Sequence, residues 1–396
     1  MTPLAITGMG AVTQGVSGRA ALESLLRVCS VGAFAPPSLF DAASWPGLRV
    51  LEATDFDATR VLGDKGLRNI DRLTRFFLVA ARQCLEDSGL KSSGTWTTPM
   101  SGSRAGVCAS TAYGSLESMV ELHRVALLES PRYLNPAKFP NTVINAALGY
   151  VSIWEDLRAI NATVCNGNCG ALDAVLLAET FLAGERADVV VVGGAEAMHE
   201  GLCLAFHRLD AMSGESDVFA PSDLARSRGM RLGEGAVMLT LEREDHAIAR
   251  GKTSCAVVTG FGTAFEPPVS EAILVHLSAE ALARAIRSSL SDASLTPADI
   301  DVVISSANGY APYDRAESEA ISSVFERSMP LALAKRVVGE TLGAGGAFGL
   351  AMAAMVVEGV RPEAVAGALW PSQVRRALVL STGFYGNATA VIVESR

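Results

Sequence analysis

The chain of 396 residues has a formal net charge of −9, with 49% hydrophobic and 19% charged residues. This balance argues against a nucleic-acid backbone as partner, and the apolar content excludes a disordered chain. No apolar run reaches the about eighteen residues that a membrane span needs, and the first eight residues lack the pattern of a signal peptide. Seven scattered cysteines, an odd number without metal-site spacing, indicate a reduced, cytoplasmic protein without a structural metal.

The first predicted strand, at 5–11, is a short apolar run that contains Gly8 and Gly10. A similar run at 257–263 repeats the same Gly-x-Gly spacing. Both patterns predict a strand that ends in a Gly-x-Gly turn, where glycine permits tight or left-handed backbone. Neither run is followed by a third glycine and a helix in the dinucleotide-binding spacing, so nucleotide binding is not expected.

Apolar residues at helical spacing predict helices at 71–86 and 171–183. A glycine-rich segment at 343–347 opens a very apolar stretch that continues to residue 355. Its small residues permit the close approach of a helix or of backbone, and they suit buried packing and a functional site equally well.

Two continuous β-branched runs, at 187–194 and 300–304, predict strands that are buried on both faces and covered by helices. These runs echo each other, as the two Gly-x-Gly strands do. The paired echoes predict a duplicated α/β architecture with halves at 1–250 and 251–396, of which the first carries extra loops.

Four segments in this order resemble motifs of the β-ketoacyl synthases, a branch of the thiolase superfamily. They are the opening strand at 6–12, the strand at 187–196, the Gly-Glu-Gly-Ala signature at 232–236, and a C-terminal turn at 382–388 that resembles Gly-Phe-Gly-Gly. The resemblance runs from end to end of the chain. It implies a thiolase-like duplicated αβαβα sandwich and a dimer whose interface carries acyl tunnels.

Active members of that family carry a cysteine nucleophile at a sharp strand-to-helix turn. Counting back from Asp188 by the family's spacing leads to Asn168. The string that begins there also resembles the turn of type II polyketide chain-length factors, which carry glutamine in place of the cysteine. An amide cannot become a thioester, so the resemblance implies that no acyl-enzyme forms at Asn168.

The two histidines of active members are replaced as well, because no histidine follows His276. In the place of the family's His-Gly-Thr, Asn308 fills the histidine slot; further on, Lys335 retains the family's lysine and Glu340 stands for the second histidine. Two oriented imidazoles activate malonyl decarboxylation and stabilise the enolate in active members, and a carboxylate would repel that charge. Ordinary condensation is therefore not expected.

The resemblance implies a non-catalytic chain-length factor, or ketosynthase β subunit, that pairs with an active ketosynthase α subunit. Such a subunit shapes the tunnel in which a polyketide or polyene grows, from substrates carried on the phosphopantetheine of an acyl carrier protein, and binds no cofactor itself. A second interpretation is a divergent β-ketoacyl-ACP synthase or acyltransferase that uses Cys169 or Cys165, with Glu340 as base, although such cysteines are more often small buried hydrophobes. A third is a homodimeric acyl-binding or scaffold protein.

The resemblance also places a tunnel-lining interface helix at 110–116. Tyr113 and Leu116 would share one face of that helix. In the chain-length factors, bulky side chains there close the end of the partner's tunnel, and a tyrosine makes a rigid plug. Ordinary interface packing is the alternative. Phe384, in the C-terminal turn, is the predicted gate residue.

Overall fold

The computed structural model of the chain describes residues 1–97, 101–254, 256–270, 273 and 275–396. In these ranges twelve strands form one mixed sheet, and a two-stranded hairpin (β3 and β4) lies apart. The strands are β1 (Leu4–Thr13), β2 (Val16–Ser17), β3 (Lys91–Ser92), β4 (Thr95–Trp96), β5 (Ala105–Ser110), β6 (Asn161–Val164), β7 (Val189–Glu196), β8 (Gly235–Arg243), β9 (Ala256–Phe265), β10 (Val302–Ile304), β11 (Pro330–Ala332), β12 (Val365–Gly367), β13 (Arg376–Thr382) and β14 (Asn387–Ser395).

The helices surround this sheet and also run through the middle of the molecule. They are α1 (Arg19–Val28), α2 (Thr59–Leu62), α3 (Arg72–Asp87), α4 (Leu116–Arg124), α5 (Ala146–Glu155), α6 (Gly170–Ala183), α7 (Glu200–Arg208), α8 (Glu244–Ala249), α9 (Ala279–Asp292), α10 (Ala311–Val324), α11 (Ala334–Val338) and α12 (Gly345–Val357).

The strand order of the large sheet repeats itself on either side of the central pair β1 and β9. One side continues outward as β8, β7, β5 and β6, and the other as β14, β13, β10 and β11. On each side the first two pairings are antiparallel and the next two are parallel. The strand β12 then extends the second side, and β2 pairs with β1. The two halves of the chain therefore have the same topology.

The helices that cover the sheet lie in three layers, a central one and two outer ones. The central layer holds α6 and α12, which contact each other and strands of both sides. One outer layer holds α3 and α5, and the other holds α9 and α10. Every residue of α12 is buried, as its apolar sequence predicts. The predicted duplicated αβαβα sandwich is confirmed, while the division of the chain at residue 250 stays a prediction.

The Gly-x-Gly segments lie inside strands, so the prediction that they form turns was wrong. The strand β1 continues past Gly10, and β9 continues past Gly262. A Cβ atom at Gly10 would lie 2.1 Å from the carbonyl oxygen of Ala80 in α3, and one at Gly262 would lie 2.1 Å from that of Ala285 in α9. These glycines are needed because an outer helix rests directly on the strand, in the same way in both halves.

One of the two predicted echoes pairs strands that are not equivalent. By its place in the sheet β7 corresponds to β13, and β10 corresponds to β5, so the pairing of the run at 187–194 with that at 300–304 was wrong. All four strands are buried and rich in small or β-branched residues. Such a composition reflects burial on both faces and does not identify a strand's position in the sheet.

The predicted helices at 71–86 and 171–183 are present as α3 and α6. The side chain of Asp71 accepts a hydrogen bond from the backbone N–H of Thr74 at 2.9 Å, which caps the first turn of α3. Among the helices that the structure describes, none is both long enough and apolar enough to cross a bilayer.

Candidate functional site

Four polar side chains meet around one carboxylate, and we call Asn168, Asn308, Lys335 and Glu340 the Glu340 cluster. Lys335 Nζ donates to Glu340 Oε2 at 2.7 Å, and Asn308 Nδ2 donates to the same oxygen at 2.8 Å. Asn168 Nδ2 makes a longer contact with it at 3.3 Å. The other oxygen, Oε1, accepts the backbone N–H of Leu342 at 2.8 Å. Residues that the sequence singles out in three separate segments thus meet at Glu340.

The cluster forms where the carboxyl ends of strands from the two halves face each other. Asn168 lies in a 3₁₀ turn between β6 and α6, and its backbone carbonyl accepts a hydrogen bond from Ser381 Oγ at 2.7 Å. Asn308 follows β10, and Lys335 and Glu340 lie in and after α11, which follows β11. Carboxyl ends of parallel strands are where α/β folds usually place their sites.

No member of the cluster is more than 3% exposed. Burial by itself would lower the pKa of Lys335, but the Glu340 carboxylate outweighs it and holds that pKa above its ordinary value. The ammonium group of Lys335 also lies 5.0 Å from the ring centre of Tyr313, at cation–π distance. Lys335 and Glu340 therefore form a buried ion pair that excludes solvent.

Tyr313 belongs to this site, although nothing in its sequence neighbourhood indicated it. Its side chain is fully buried, its hydroxyl donates to the carbonyl of Thr382 at 2.6 Å, and that hydroxyl lies 3.4 Å from Lys335 Nζ. Burial raises the pKa of Tyr313 to about 12, so the phenol stays protonated. It links the lysine to the end of β13, a tertiary contact that leaves no periodic signal in the sequence.

The amide of Asn308 is held in one orientation. Its Oδ1 accepts the backbone N–H of Tyr310 at 3.0 Å, which leaves Nδ2 to face Glu340. The backbone of Asn308 is fixed in turn by Asp314 Oδ1, which accepts its N–H at 2.8 Å. Burial raises the pKa of Asp314 to about 6, although backbone N–H groups, first that of Ser222, oppose the rise. The loop after β10 therefore presents a donor, and not a base, to the cluster.

The cluster's chemistry is that of a satisfied ion pair. The carboxylate of Glu340 accepts from four donors, so its lone pairs are engaged. The two amides carry no group that exchanges protons near neutral pH. Asn168, in the turn before α6, presents an amide to the cluster, and an amide cannot form a thioester.

The two candidate cysteines differ in exposure, and each thiol donates to a backbone carbonyl. Cys169 is fully buried, its Sγ donates to the carbonyl of Ser381 at 3.4 Å, and burial raises the pKa of its thiol to about 12. Cys165 is exposed, and its Sγ donates to the carbonyl of Ala112 at 3.3 Å. Partial burial, followed by the nearby Glu196, raises the pKa of the Cys165 thiol as well.

The predicted helix at 110–116 is absent, so Tyr113 and Leu116 do not share a helix face. The strand β5 ends at Ser110, and α4 begins only at Leu116. Gly114 has a φ of +66°, a left-handed conformation that interrupts a helix. Tyr113 stands in the intervening loop with 37% of its surface exposed.

Leu116 and Phe384 pack into one apolar cluster beside the site. The ring of Phe384 lies 5.5 Å from that of Tyr313 and 5.5 Å from that of Phe206. Phe384 thus lies next to the residue that contacts Lys335. Its role as a gate stays a prediction, as does that of Tyr113 as a plug.

A second buried glutamate lies in the Gly-Glu-Gly-Ala motif. Glu234 Oε1 accepts the backbone N–H of Ala53 at 2.8 Å, and Oε2 accepts that of Met198 at 2.8 Å. Arg72 Nε donates to Oε2 at 2.9 Å. These contacts, which we call the Glu234 cluster, join two distant segments and α3 to the start of β8.

Within the described ranges, no group of three or more His, Cys, Asp and Glu side chains is placed to hold a metal ion. Two histidines make hydrogen bonds outside the Glu340 cluster. His199 Nδ1 accepts the N–H of Gly201 at 3.0 Å and caps α7, and His246 Nδ1 lies 2.7 Å from Glu242 Oε2.

Two family models match the chain in sequence. The model of the β-ketoacyl synthase N-terminal domain matches residues 1–247, and that of the C-terminal domain matches residues 255–365. Among curated proteins, the chain is 30% identical to the 3-oxoacyl-(acyl-carrier-protein) synthase 2 of Coxiella burnetii, over 79% of this chain and 76% of that protein.

Solved structures share the fold. The ishigamide ketosynthase/chain length factor superposes with a TM-score of 0.88 at 22% identity, over 100% of this chain and 99% of that one. A type II polyketide synthase acyl carrier protein in complex with its ketosynthase bound to the hexaketide gives 0.80 at 20% identity, over 100% and 99%. At this level of identity the likeness concerns the fold alone.

Proposed function

Because the chain belongs to the β-ketoacyl synthase family, we propose that it is a chain-length factor without condensing activity of its own. It pairs with an active ketosynthase subunit and helps to shape the tunnel in which a polyketide or polyene chain grows. The substrate is carried on the phosphopantetheine of an acyl carrier protein and reacts at the partner's thiol.

The observation that carries this proposal is the closed Glu340 cluster. Asn168 stands at the turn before α6 and cannot form a thioester. Its amide and that of Asn308 both point at Glu340, whose charge is already balanced by Lys335. A negative enolate at this place would meet a carboxylate where active members supply imidazole.

An unpaired sheet edge and an apolar surface support a protein partner. In the described part of the chain, no strand pairs with the outer edge of β6. The segment between α4 and α5 exposes large apolar side chains, namely Leu127 at 80%, Leu128 at 74%, Tyr133 at 72% and Phe139 at 67%. Apolar surface of this extent is unusual on a protein that works alone, and obligate interfaces are built from it.

The curated relative from Coxiella burnetii favours a second candidate, an active enzyme, because its name is that of a synthase. In this reading Cys169 or Cys165 would be the nucleophile. The buried, raised-pKa thiol of Cys169 and the engagement of Glu340 by four donors both speak against it. A thiol needs an adjacent base or a lowered pKa to act as nucleophile.

Intact-mass analysis of a co-expressed complex tests the proposal. The chain, tagged and purified together with a ketosynthase that has the intact Cys-His-His set, is incubated with acyl-loaded carrier protein. We expect the acyl adduct on the ketosynthase only. An adduct mapped to Cys165 or Cys169 would establish the enzyme instead, and failure of the two chains to co-purify would overturn the pairing.

A further inference from the structure

A third buried glutamate, Glu196, ends β7 and is surrounded by donors. Its Oε2 accepts the backbone N–H of Ala112 at 2.8 Å, and its Oε1 accepts Thr111 Oγ1 at 3.1 Å. The N–H of Tyr113 lies 3.4 Å from Oε1. Three successive residues of the loop between β5 and α4 are therefore tied to one carboxyl group. We call residues 111–115 the tunnel loop, because it carries Tyr113.

The same carboxyl group also holds the segment that follows Glu340. Glu196 Oε2 accepts the N–H of Gly343 at 3.2 Å, one residue beyond the N–H of Leu342 that Glu340 binds. Leu342 has a φ of +46°, a left-handed conformation that costs a residue with a side chain roughly 1 kcal/mol or more. Glu340 and Glu196 thus accept hydrogen bonds from neighbouring N–H groups of a strained turn.

The turn and the tunnel loop also touch directly. A Cβ atom on Gly343 would lie 2.5 Å from the backbone nitrogen of Ala112, so the two backbones pass at the closest distance that glycine allows. Within the loop, Thr111 Oγ1 also accepts the N–H of Gly114 at 3.1 Å. The position of Tyr113 relative to the Glu340 cluster is therefore set through Glu196 and this contact.

We propose that Glu196 is the positioning residue of the tunnel loop and so determines the depth at which Tyr113 closes the acyl tunnel. The inference rests on the proposed function, because it assigns a task within a tunnel shared with a ketosynthase. Tyr113 is 37% exposed and lies in a loop outside α4, which begins only at Leu116. A loop residue sets a length only if its backbone is held to a fraction of an ångström, and a buried carboxylate with several donors does this.

Cys165 supplies a probe of the loop that needs no partner protein. Its thiol is exposed and bonds to the carbonyl of Ala112, in the middle of the tunnel loop. In Glu196→Gln, one acceptor oxygen becomes an NH₂ group that faces N–H donors, so the loop is released. At one fixed pH, we expect Cys165 to react with a maleimide several-fold faster in this variant than in the wild type.

The controls separate release of the loop from loss of the fold. Cys29 lies in a segment distant in sequence from the tunnel loop, and its thiol bonds to the carbonyl of Val31. Its rate of reaction with the maleimide should therefore not change. Glu23→Gln, at an exposed glutamate paired with Arg27, should leave the Cys165 rate unchanged. Thr111→Val removes one donor to Glu196 and leaves the carboxyl in place, so it should accelerate labelling less and serves if Glu196→Gln does not fold.

The length of the product tests whether the position of Tyr113 determines how far the chain can grow. Co-expressed with its ketosynthase, the Glu196→Gln or Thr111→Val chain should give a broader and longer product distribution than the wild type. Unchanged labelling of Cys165, or unchanged products from an assembled heterodimer, would overturn the inference alone. If exchanging the wild-type chain for a relative does not alter product length either, the proposed function fails and the inference fails with it.

Discussion

The Glu340 cluster and the Glu234 cluster are both built on a fully buried glutamate with one cationic partner, yet they are satisfied in different ways. Glu234 receives two backbone N–H groups and the guanidinium of Arg72. Glu340 receives three side chains, from Asn168, Asn308 and Lys335, and one backbone N–H group.

The difference shows that the Glu234 cluster belongs to the scaffold of the fold, whereas the side chains of the Glu340 cluster can be exchanged by substitution. Backbone donors are present whatever the side chains are, so the fold at 53, 198 and 234 requires an acceptor in the place of Glu234. Side-chain donors are replaced by single substitutions. The Glu340 cluster therefore lies where the sequence of this fold can exchange one set of mutually satisfied polar groups for another without rebuilding the backbone.

The largest expected effect is that of Glu234→Ala, which leaves the Arg72 charge and two backbone N–H groups without their acceptor. Removing one partner of a buried ion pair costs about 3–5 kcal/mol, and we expect the upper end of this range. Denaturant unfolding measures it. Glu23→Ala, which breaks an exposed pair with Arg27, should cost at most about 0.5 kcal/mol.

A smaller loss, about 3 kcal/mol, is expected for Glu340→Gln, because Lys335 then stays charged and buried without a counter-ion. Replacing both by apolar groups, in Lys335→Met with Glu340→Leu, should restore most of the stability, since a buried ion pair can be exchanged for hydrophobic packing.

The corresponding double replacement of Arg72 and Glu234 by Met and Leu should stay strongly destabilised, because the N–H groups of Ala53 and Met198 remain unpaired. Comparing the unfolding free energies of the two double variants tests the distinction between the clusters. Equal recovery of both would show that backbone donors do not distinguish them.

The smallest expected effect is a pH dependence that comes from Glu196. Burial raises the pKa of Glu196 well above its ordinary value, to about 7, although the N–H groups of Ala112 and Gly343 oppose the rise. The folded state then holds the proton more tightly than the unfolded state, so this group's contribution to stability falls as the pH rises from about 4.5 to 7. The fall is at most about 1.4 kcal/mol for each pH unit, so one step of pH changes the free energy of unfolding less than either substitution does.

We expect the difference in unfolding free energy between the wild type and Glu196→Gln to change across this pH range. The wild type loses stability over the window relative to the variant, and above pH 7 the difference becomes constant. The titratable groups that face Glu196 are Tyr113 and Cys165, which stay neutral in this range because burial raises the pKa of each. A difference that does not vary with pH would show that Glu196 does not titrate there.

The sequence was sufficient for the architecture and for the members of the Glu340 cluster. Buried strands, amphipathic helices and four ordered motifs are local signals, and the resemblance supplied the spacing that places Asn168, Asn308 and Glu340. It was not sufficient where a contact decides the structure. The Gly-x-Gly strands looked like turns because the helix that rests on them is distant in sequence.

Tyr313 and Glu196 were missed as site residues for the same reason. Neither the segment of Tyr313 nor the strand motif that ends at Glu196 indicates these contacts. Each residue acquires its role through a tertiary partner, Lys335 for the tyrosine and Ala112 for the glutamate. The helix that the resemblance placed around Tyr113 is absent, because the left-handed Gly114 and the hydrogen bonds to Glu196 hold this segment as a loop.

The outer edge of β6, which no strand covers in the described part of the chain, has a consequence for the proposed pairing with a ketosynthase subunit. Until a partner covers it, this strand is a template on which a second copy of the chain can assemble. Such self-assembly competes by mass action with productive pairing, and it grows with any excess of the chain over its partner. We expect balanced synthesis of the two subunits to be a requirement, and the surplus of this chain to be removed by aggregation or proteolysis.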